Sequence, residues 1–327
     1  KEYDTLYLRI LSLNKKHEFN DATSYLLTKD ISMNRYSLEG WVPKVEQIIS
    51  KHPSNYNAYL LYMIANSYYD TKKAKSNKYI QQAKTNYPKS PWIENIIELE
   101  KRLKQADMKL EHSLFEPSQF YIPLKLNARN IEKLHIRVYK TTNSPKTYTD
   151  KVVKHDTLTL RTTLDAPLVY EESKDLKSFE DWENHSTTYK INPLSPGNYT
   201  IIASNNADFI NDGEQKTAVS SQLIVSDIFI TASLDEATAN NDVHKILLIN
   251  RKTGKPFANK QVTLYRVSDN TPQLVSQLTS NTKGELSYQS NSLQRLRNLN
   301  DLEIYIPEES QLIKLRNLNN VSRHVVM

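Results

Sequence analysis

The residue types that carry most enzyme and metal chemistry are scarce in this sequence of 327 residues. It contains no cysteine, which excludes a thiol nucleophile, a disulfide framework and thiolate metal ligands. The zinc-protease motif H-E-x-x-H, the nucleophile elbow G-x-S-x-G and the phosphate loop are all absent, and the five glycines are widely dispersed. We therefore expect a protein that is not an enzyme, with no catalytic, cofactor-binding or metal-binding residues.

Three groups of residues could in principle form a functional site, but their spacing favours a purely structural role. His155 and Asp156 are an acid–base pair in type, but neighbours on a strand point to opposite faces. The carboxylates within residues 171–183 lack the D-x-[DN]-x-[DN]-G spacing of a calcium loop, which favours a solvated loop. The tyrosines from Tyr56 to Tyr69 suit a stacking platform for sugars or bases, but their mixed spacing favours packing between helices.

Proline and glycine mark turns in this sequence rather than chemical sites. Pro196-Gly197 matches a type II turn at the tip of a hairpin, where glycine takes a positive φ. Residues 253–256 and 281–284 have the composition of two further turns. The sequence therefore predicts a structural role in turns for five residues: Pro196, Gly197, Gly254, Pro256 and Gly284.

Apolar residues at helical spacing predict helices within residues 1–108. One face of a first helix is formed by Trp41, Val45, Ile48 and Ile49. Further stripes lie within residues 60–68, 79–87 and 93–103. Pro53 ends the first helix, and Ser90 followed by Pro91 is a good start for the last. Paired helices of this length predict a tetratricopeptide-like array, with an irregular helical bundle as the alternative.

The hydrophobic period changes to two after residue 114. Ile122, Leu124 and Leu126 alternate with polar residues, and similar short segments recur up to Ile306. No helical pattern connects these segments, which favours antiparallel sandwiches over a parallel sheet. Residues 165–188 are acidic and poorly patterned, and they predict a long loop.

These patterns predict an α+β multidomain protein. The expected domains are a helical domain at 1–108 and two antiparallel β-sandwiches at 109–225 and 226–327, the last of them incomplete. The net charge of +6 is carried by residues 1–109, without a run of five to eight basic residues. This favours a solvated helical surface and no nucleic-acid partner. No apolar run approaches the roughly 18 residues that cross a bilayer, so any membrane anchor is expected outside this chain.

Phrases within the β region resemble the α2-macroglobulin family, in the form found in Bacteroidetes-like bacteria. LKLNARNIEKLHIRVYK at 124–140 and YKINPLSPGNYTIIAS at 189–204 resemble one macroglobulin-type, Ig/fibronectin-like domain. SQLIVSDIFIT at 221–231 resembles the passage into the next domain. LLINRKTGKPFANKQVTLYR at 247–266 and TSNTKGELSY at 279–288 resemble a second such domain.

The resemblance implies a non-catalytic scaffold segment of a macroglobulin-like protease inhibitor. Such traps rearrange after a bait segment is cut, and some members carry a Cys–Gln thioester. Asp212-Gly213-Glu214-Gln215 echoes the thioester tetrapeptide without its sulfur, so we expect a surface loop there. The implied partners are endoproteases, met by the full-length protein, and further macroglobulin domains of the same chain. The implied location is the periplasm or cell envelope. The alternative is an Ig-like cell-surface adhesion or glycan-binding protein.

Overall fold

A computed structural model describes residues 38–314, apart from residues 52, 142–165, 180, 214, 238–240, 269–270, 292–301 and 310. Contacts divide it into two compact units. The first, here called the helical unit, runs to Asp107 and includes Ala128–Glu132 and Lys177–His185. The second, here called the β unit, comprises Met108–Asn127, Lys133–Leu176 and the chain after Ser186. The three-way division with boundaries after residues 108 and 225 stays a prediction.

The described part of the helical unit contains four helices. They are α1 (Leu38–Lys51), α2 (Asn57–Tyr68), α3 (Lys73–Asn86) and α4 (Ile93–Lys104). The predicted apolar stripes form one buried core, whose largest members are Trp41, Leu60, Leu61, Ile64, Ile80, Ile96, Leu99 and Leu103. The expected helices are confirmed for the described residues, and their arrangement as a tetratricopeptide-like array stays a prediction.

The last helix begins slightly later than its sequence indicates. Ser90 is not its N-cap, because the chain first makes tight turns in which the Ser90 N–H donates to the carbonyl of Tyr87 (3.1 Å). The Ser90 hydroxyl oxygen accepts the N–H of Trp92 at 3.3 Å, and the helix starts at Ile93. The serine thus stabilises the turn that leads into the helix.

The first eight strands form two sheets. They are β1 (Asp107–Glu111), β2 (Phe115–Glu116), β3 (Ile122–Arg129), β4 (Lys133–Thr141), β5 (Leu168–Asp175), β6 (His185–Ile191), β7 (Gly197–Ser204) and β8 (Ala218–Val225). One sheet has the order β1-β3-β6, and the other has the order β2-β8-β7-β4-β5. In the five-stranded sheet, β4, β5, β7 and β8 pair antiparallel, whereas β2 pairs parallel with β8.

The remaining strands form a β-sandwich. They are β9 (Ile228–Ala237), β10 (Asn241–Asn250), β11 (Gln261–Ser268), β12 (Thr271–Thr279), β13 (Glu285–Asn291), β14 (Leu302–Ile306) and β15 (Gln311–Lys314). The two antiparallel sheets, β13-β10-β9 and β12-β11-β14-β15, contribute to a single core. Its members include Ile230, Ile246, Leu248, Leu264, Leu286, Ile304 and Ile313. The expected mixed α+β fold, with helices first and strands after, is confirmed for the described residues.

The long loop expected at residues 165–188 is wrong in part, because β5 occupies Leu168–Asp175. This strand lies at the edge of the five-stranded sheet, and none of its residues is buried. An edge strand without a buried face needs no apolar alternation, so its sequence lacks the usual strand signal. Its charged residues, including Glu171 and Lys174, discourage pairing with another chain.

Pro196-Gly197 does not form the expected hairpin tip. The strands on either side, β6 and β7, belong to different sheets, so this segment crosses between sheets. Gly197 has φ of +157°, positive as expected but far from the value near +80° of a type II turn. A Cβ atom there would lie 3.2 Å from Cε of Lys140.

Gly254 and Gly284 both have positive φ, at +68° and +76°, but their surroundings differ. Gly254 closes a turn by donating its N–H to the carbonyl of Asn250 (2.8 Å), and Pro256 forms a bridge with Ile249. A Cβ at Gly254 would meet open space. A Cβ at Gly284 would collide with the carbonyl oxygen of Leu248, because Gly284 continues the pairing of β13 with β10 and accepts the Leu248 N–H at 2.8 Å.

This difference makes Gly254 a matched control for Gly284. We expect Gly254→Ala to lower the free energy of unfolding by about 1 kcal/mol, the cost of the left-handed backbone alone. Gly284→Ala should cost about 3 kcal/mol or more, because it also forces the backbone of β10 to move. Urea unfolding of the two variants measures both values. Equal losses would contradict the close approach at Gly284.

Candidate functional site at the joint of the β unit

The acidic and aromatic residues considered from the sequence are engaged in structural contacts. Glu171 forms an ion pair with Arg137 (Nε to Oε1 2.6 Å), and Glu172 accepts a hydrogen bond from the hydroxyl of Tyr170. Tyr59 is half-buried against the helical core, and its ring centroid lies 4.5 Å from that of Trp92. Within the described ranges, no three His, Asp or Glu side chains are placed to hold a metal ion.

Two other sequence features are peripheral or outside the described chain. His155 and Asp156 lie outside the described residues, as does Glu214 of the thioester-like tetrapeptide. Asp212 of that tetrapeptide uses its carboxylate to accept the N–H groups of Gln215 (3.0 Å) and Lys216 (2.9 Å). The side chain of Asp212 therefore satisfies two nearby backbone donors.

A set of partly buried polar contacts lies where the five-stranded sheet meets the β-sandwich. Only Ser226 and Asp227 separate β8 from β9. Strand β2 lies beside this linker, because the Ser226 N–H donates to the carbonyl of Glu116 (2.9 Å). The side chain of Phe115 belongs to the core of the β-sandwich and is 5% exposed. We call this region the joint: residues 114–118, 224–227, 251–252 and 309.

Asp227 is the centre of the joint. Its carboxylate accepts the backbone N–H of Ser118 (2.9 Å) and the Ser118 hydroxyl (2.8 Å), and it forms an ion pair with Lys252 (2.9 Å). The Lys252 ammonium also donates to the Ser118 hydroxyl oxygen at 2.8 Å. Burial alone would raise the pKa of Asp227, but the hydrogen bonds from Lys252 and Ser118 outweigh it and hold the pKa below its ordinary value. The carboxylate is thus kept ionised.

Arg251 lies close to two aromatic rings, one in the joint and one in β9. Its guanidinium lies 5.7 Å from the ring centroid of Phe115 and 5.3 Å from that of Phe229. Its backbone N–H donates to the carbonyl of Asp227 at 2.7 Å. Burial lowers the pKa of Arg251, and the negative charges of Glu116, Glu309 and Asp227 oppose that shift. Arginine keeps its charge in such surroundings, so the guanidinium remains a fixed cation.

Two further carboxyl groups of the joint behave in the opposite way to Asp227. Burial raises the pKa of Glu116, with the charge of Arg251 opposing the shift. Burial also raises the pKa of Glu309, although the buried hydroxyl of Ser226 donates to it at 2.6 Å. Three acidic and two basic side chains therefore share one partly buried space, in which Asp227 and Lys252 form an ion pair and the other charges act at longer range.

The joint holds the linker in place, because Asp227 of the linker is bonded to Ser118, which follows β2, and to Lys252, which follows β10. The sequence singled out none of these residues individually, although residues 224–227 and 251–252 lie within the phrases at 221–231 and 247–266. The one local signal was the polar pair Ser226-Asp227 between two apolar strands, whose partners are remote in the chain.

Comparison with known proteins identifies no family for this chain. No family model matches it, and no curated protein does. Among solved structures, native α2-macroglobulin from Escherichia coli, spanning domains MG0-NIE-MG1, aligns with 16% identity and a TM-score of 0.44. That alignment covers 64% of this chain and 64% of the other. No helix in the described part of the chain is both long and apolar enough to cross a membrane.

Other solved structures align more weakly. Salmonella α2-macroglobulin reacted with methylamine aligns with 16% identity and a TM-score of 0.39, over 65% of this chain and 12% of that one. Red sea bream transglutaminase aligns with 10% identity and a TM-score of 0.29, over 62% of this chain and 29% of that one. The structural neighbours thus include bacterial α2-macroglobulins, and no residue role is carried over from them.

The joint makes a testable contribution to stability. Asp227→Asn should lower the free energy of unfolding of the β unit by about 2 kcal/mol near neutral pH, because it leaves Lys252 without its buried anion. Since the folded pKa of Asp227 is lowered, this contribution is complete above the ordinary aspartate pKa of about 4. The difference between wild type and variant should shrink as pH falls through the lower folded pKa.

Asp208→Asn is the matched control, because Asp208 forms a long, exposed ion pair with Lys216 (3.9 Å). Exposed pairs of this kind contribute almost nothing, so this variant should unfold like wild type. Chemical denaturation at several pH values compares the three proteins. Equal stability of Asp227→Asn and Asp208→Asn at pH 7 would contradict a stabilising role for the joint.

Proposed function

We propose that this chain is a non-catalytic frame segment of a macroglobulin-like protease trap in the bacterial cell envelope. The observation that carries the proposal is the joint, in which a two-residue linker is fastened by Asp227 to Ser118 and Lys252. The order of the macroglobulin-like phrases along the sequence supports it independently. In this proposal the five-stranded sheet belongs to the first macroglobulin-type domain, and the β-sandwich is the second.

A joint of fixed geometry suits the static segment of a protease trap, because the trap rearranges after it is cleaved. Cleavage shifts a protein with two stable conformations from one to the other. This movement encloses the protease only if the domains that do not rearrange keep their orientation. Partly buried charge pairs define one orientation, because a displaced partner leaves a charge unpaired. The aromatic and aliphatic contacts of Phe115 add close packing to the same interface.

The proposal extends to partners and location. Endoproteases would be bound by the full-length protein, together with further macroglobulin domains of the same chain. The protein would be exported to the periplasm or the cell envelope, with any membrane anchor outside this chain. The helical unit would be a tetratricopeptide-like array that precedes the macroglobulin-type domains. No cofactor and no nucleic acid takes part.

The test compares the full-length protein with this chain. Each is incubated with several endoproteases, and activity is measured on a small chromogenic substrate and on a large protein substrate. The full-length protein should leave the small-substrate activity intact and block most of the large-substrate activity, because a trap acts by steric enclosure. This chain alone should neither hydrolyse a substrate nor inhibit a protease.

Two outcomes would overturn the proposal. Inhibition of both substrates to the same extent would indicate an active-site inhibitor rather than a trap. No inhibition, combined with binding of the full-length protein to glycans or host surfaces, would favour the Ig-like adhesin instead.

The role of the joint in trapping has its own test. In the full-length protein, Asp227→Asn should lower the number of protease molecules retained per trap, because the two domains then lose their fixed orientation. Asp208→Asn should leave this stoichiometry unchanged. Equal stoichiometry for both variants would restrict the joint to a role in stability.

A further inference from the structure

Residues 177–185 lie between β5 and β6 in the chain, yet their contacts place them in the helical unit. We call this stretch the acidic segment. Trp182 packs against the core of the four helices, whose other described members all come from residues 38–103. The helical unit therefore partly buries a tryptophan from a segment more than seventy residues away in the sequence.

Glu183 completes the start of helix α3. One carboxylate oxygen accepts the backbone N–H of Lys73 at 2.8 Å, and the other accepts the Lys73 ammonium at 3.1 Å. The Lys73 side chain is only 8% exposed. Helix α3 has no side-chain cap from its own N-cap Lys72 and no acidic residue in its first turn. The first N–H of the helix and its partial positive charge are thus met by a carboxylate from outside the helix.

The acidic segment holds its own shape. The Asp181 carboxylate accepts the N–H of Glu183 at 3.0 Å and contacts His185 Nε2 at 2.9 Å. The hydrogen bond with His185 holds the pKa of Asp181 below its ordinary value, so the carboxylate stays ionised. The ring of Phe179 stacks on His185 with centroids 3.7 Å apart. These local contacts present Trp182 and Glu183 together as one compact turn.

Trp182 is held in an unfavourable backbone conformation. Its φ is +59°, in the left-handed region that a bulky residue rarely adopts. Such a conformation persists only where its contacts compensate for it. The compensating contacts here are the packing of the indole on the helical core and the hydrogen bonds of the adjacent Glu183 with Lys73.

We propose that the helical unit carries a binding site for an aromatic–acidic peptide, and that the acidic segment is its built-in, displaceable ligand. The site consists of the start of helix α3, with Lys73 as the cation, and the neighbouring part of the helical core that receives the indole. It recognises a tryptophan followed directly by a carboxylate. This inference does not rest on the protease-trap function.

A tethered ligand competes with any free one. A short tether gives an effective concentration of about 1 mM, so the wild-type site should be occupied almost continuously by its own segment. Removal of the two recognised side chains should vacate the site without altering the helices. A free peptide should then bind where the segment was.

The experiment uses the full chain and a fluorescein-labelled peptide with the sequence of residues 177–185. Fluorescence anisotropy should show binding to the Trp182→Ala/Glu183→Gln double variant at least tenfold tighter than to wild type. A peptide with glutamine at the position of Glu183 should bind the vacated variant about tenfold more weakly. Absence of peptide binding to a double variant whose circular dichroism matches wild type would overturn the proposal.

A second measurement covers the case in which the double variant does not fold. Hydrogen exchange at the Lys73 amide should be about tenfold faster in Glu183→Gln than in wild type, because the amide loses its charged acceptor. Glu94→Gln is the matched control, since Glu94 is an exposed acidic residue in the first turn of helix α4. An unchanged exchange rate of the Lys73 amide in Glu183→Gln would show that the carboxylate is not recognised, and it would overturn the proposal.

Discussion

The ion pair between Asp227 and Lys252, with Ser118 bonded to both, is the interaction on which the β unit depends. A linker of two residues has little length with which to absorb movement, so the groups around it decide the angle between the five-stranded sheet and the β-sandwich. Ionised groups in a partly buried site penalise displacement more steeply than apolar contacts, because an unpaired buried charge is costly. The charged contacts of the joint therefore favour one orientation of the sheet and the sandwich, whereas the apolar packing of Phe115 does not.

The acidic groups of the joint divide by environment. Asp227 is held ionised by donors from Lys252 and Ser118, while burial moves Glu116 and Glu309 towards their protonated forms. Asp227 therefore contributes stability at neutral pH, and the two glutamates oppose it there. As pH falls, the two glutamates lose their unfavourable effect first, above the ordinary glutamate pKa, whereas the contribution of Asp227 is lost only below the ordinary aspartate pKa.

The helical unit uses a remote carboxylate in a similar way. Helix α3 has lysines but no acid at its start, and Glu183 from the acidic segment supplies the missing acceptor. In both units a charged group from a distant part of the chain completes a local element that is incomplete by itself. Such long-range completion ties the formation of an element to the docking of its partner, which favours cooperative folding.

The sequence by itself determined the helices, most of the strands and the division between them, because hydrophobic periodicity of 3.6 or 2 is a local property. It also determined that positions 254 and 284 need glycine in tight turns. Tertiary structure alone decided that Pro196-Gly197 crosses between sheets, that β5 is a strand without a buried face, and that Ser226-Asp227 meets Ser118 and Lys252. Each of these depends on residues far apart in the chain, and no local pattern records which distant group will become a neighbour. The joint could not be predicted from the sequence for the same reason, since its charged residues come from separate parts of the chain and acquire partners only when the strands pair.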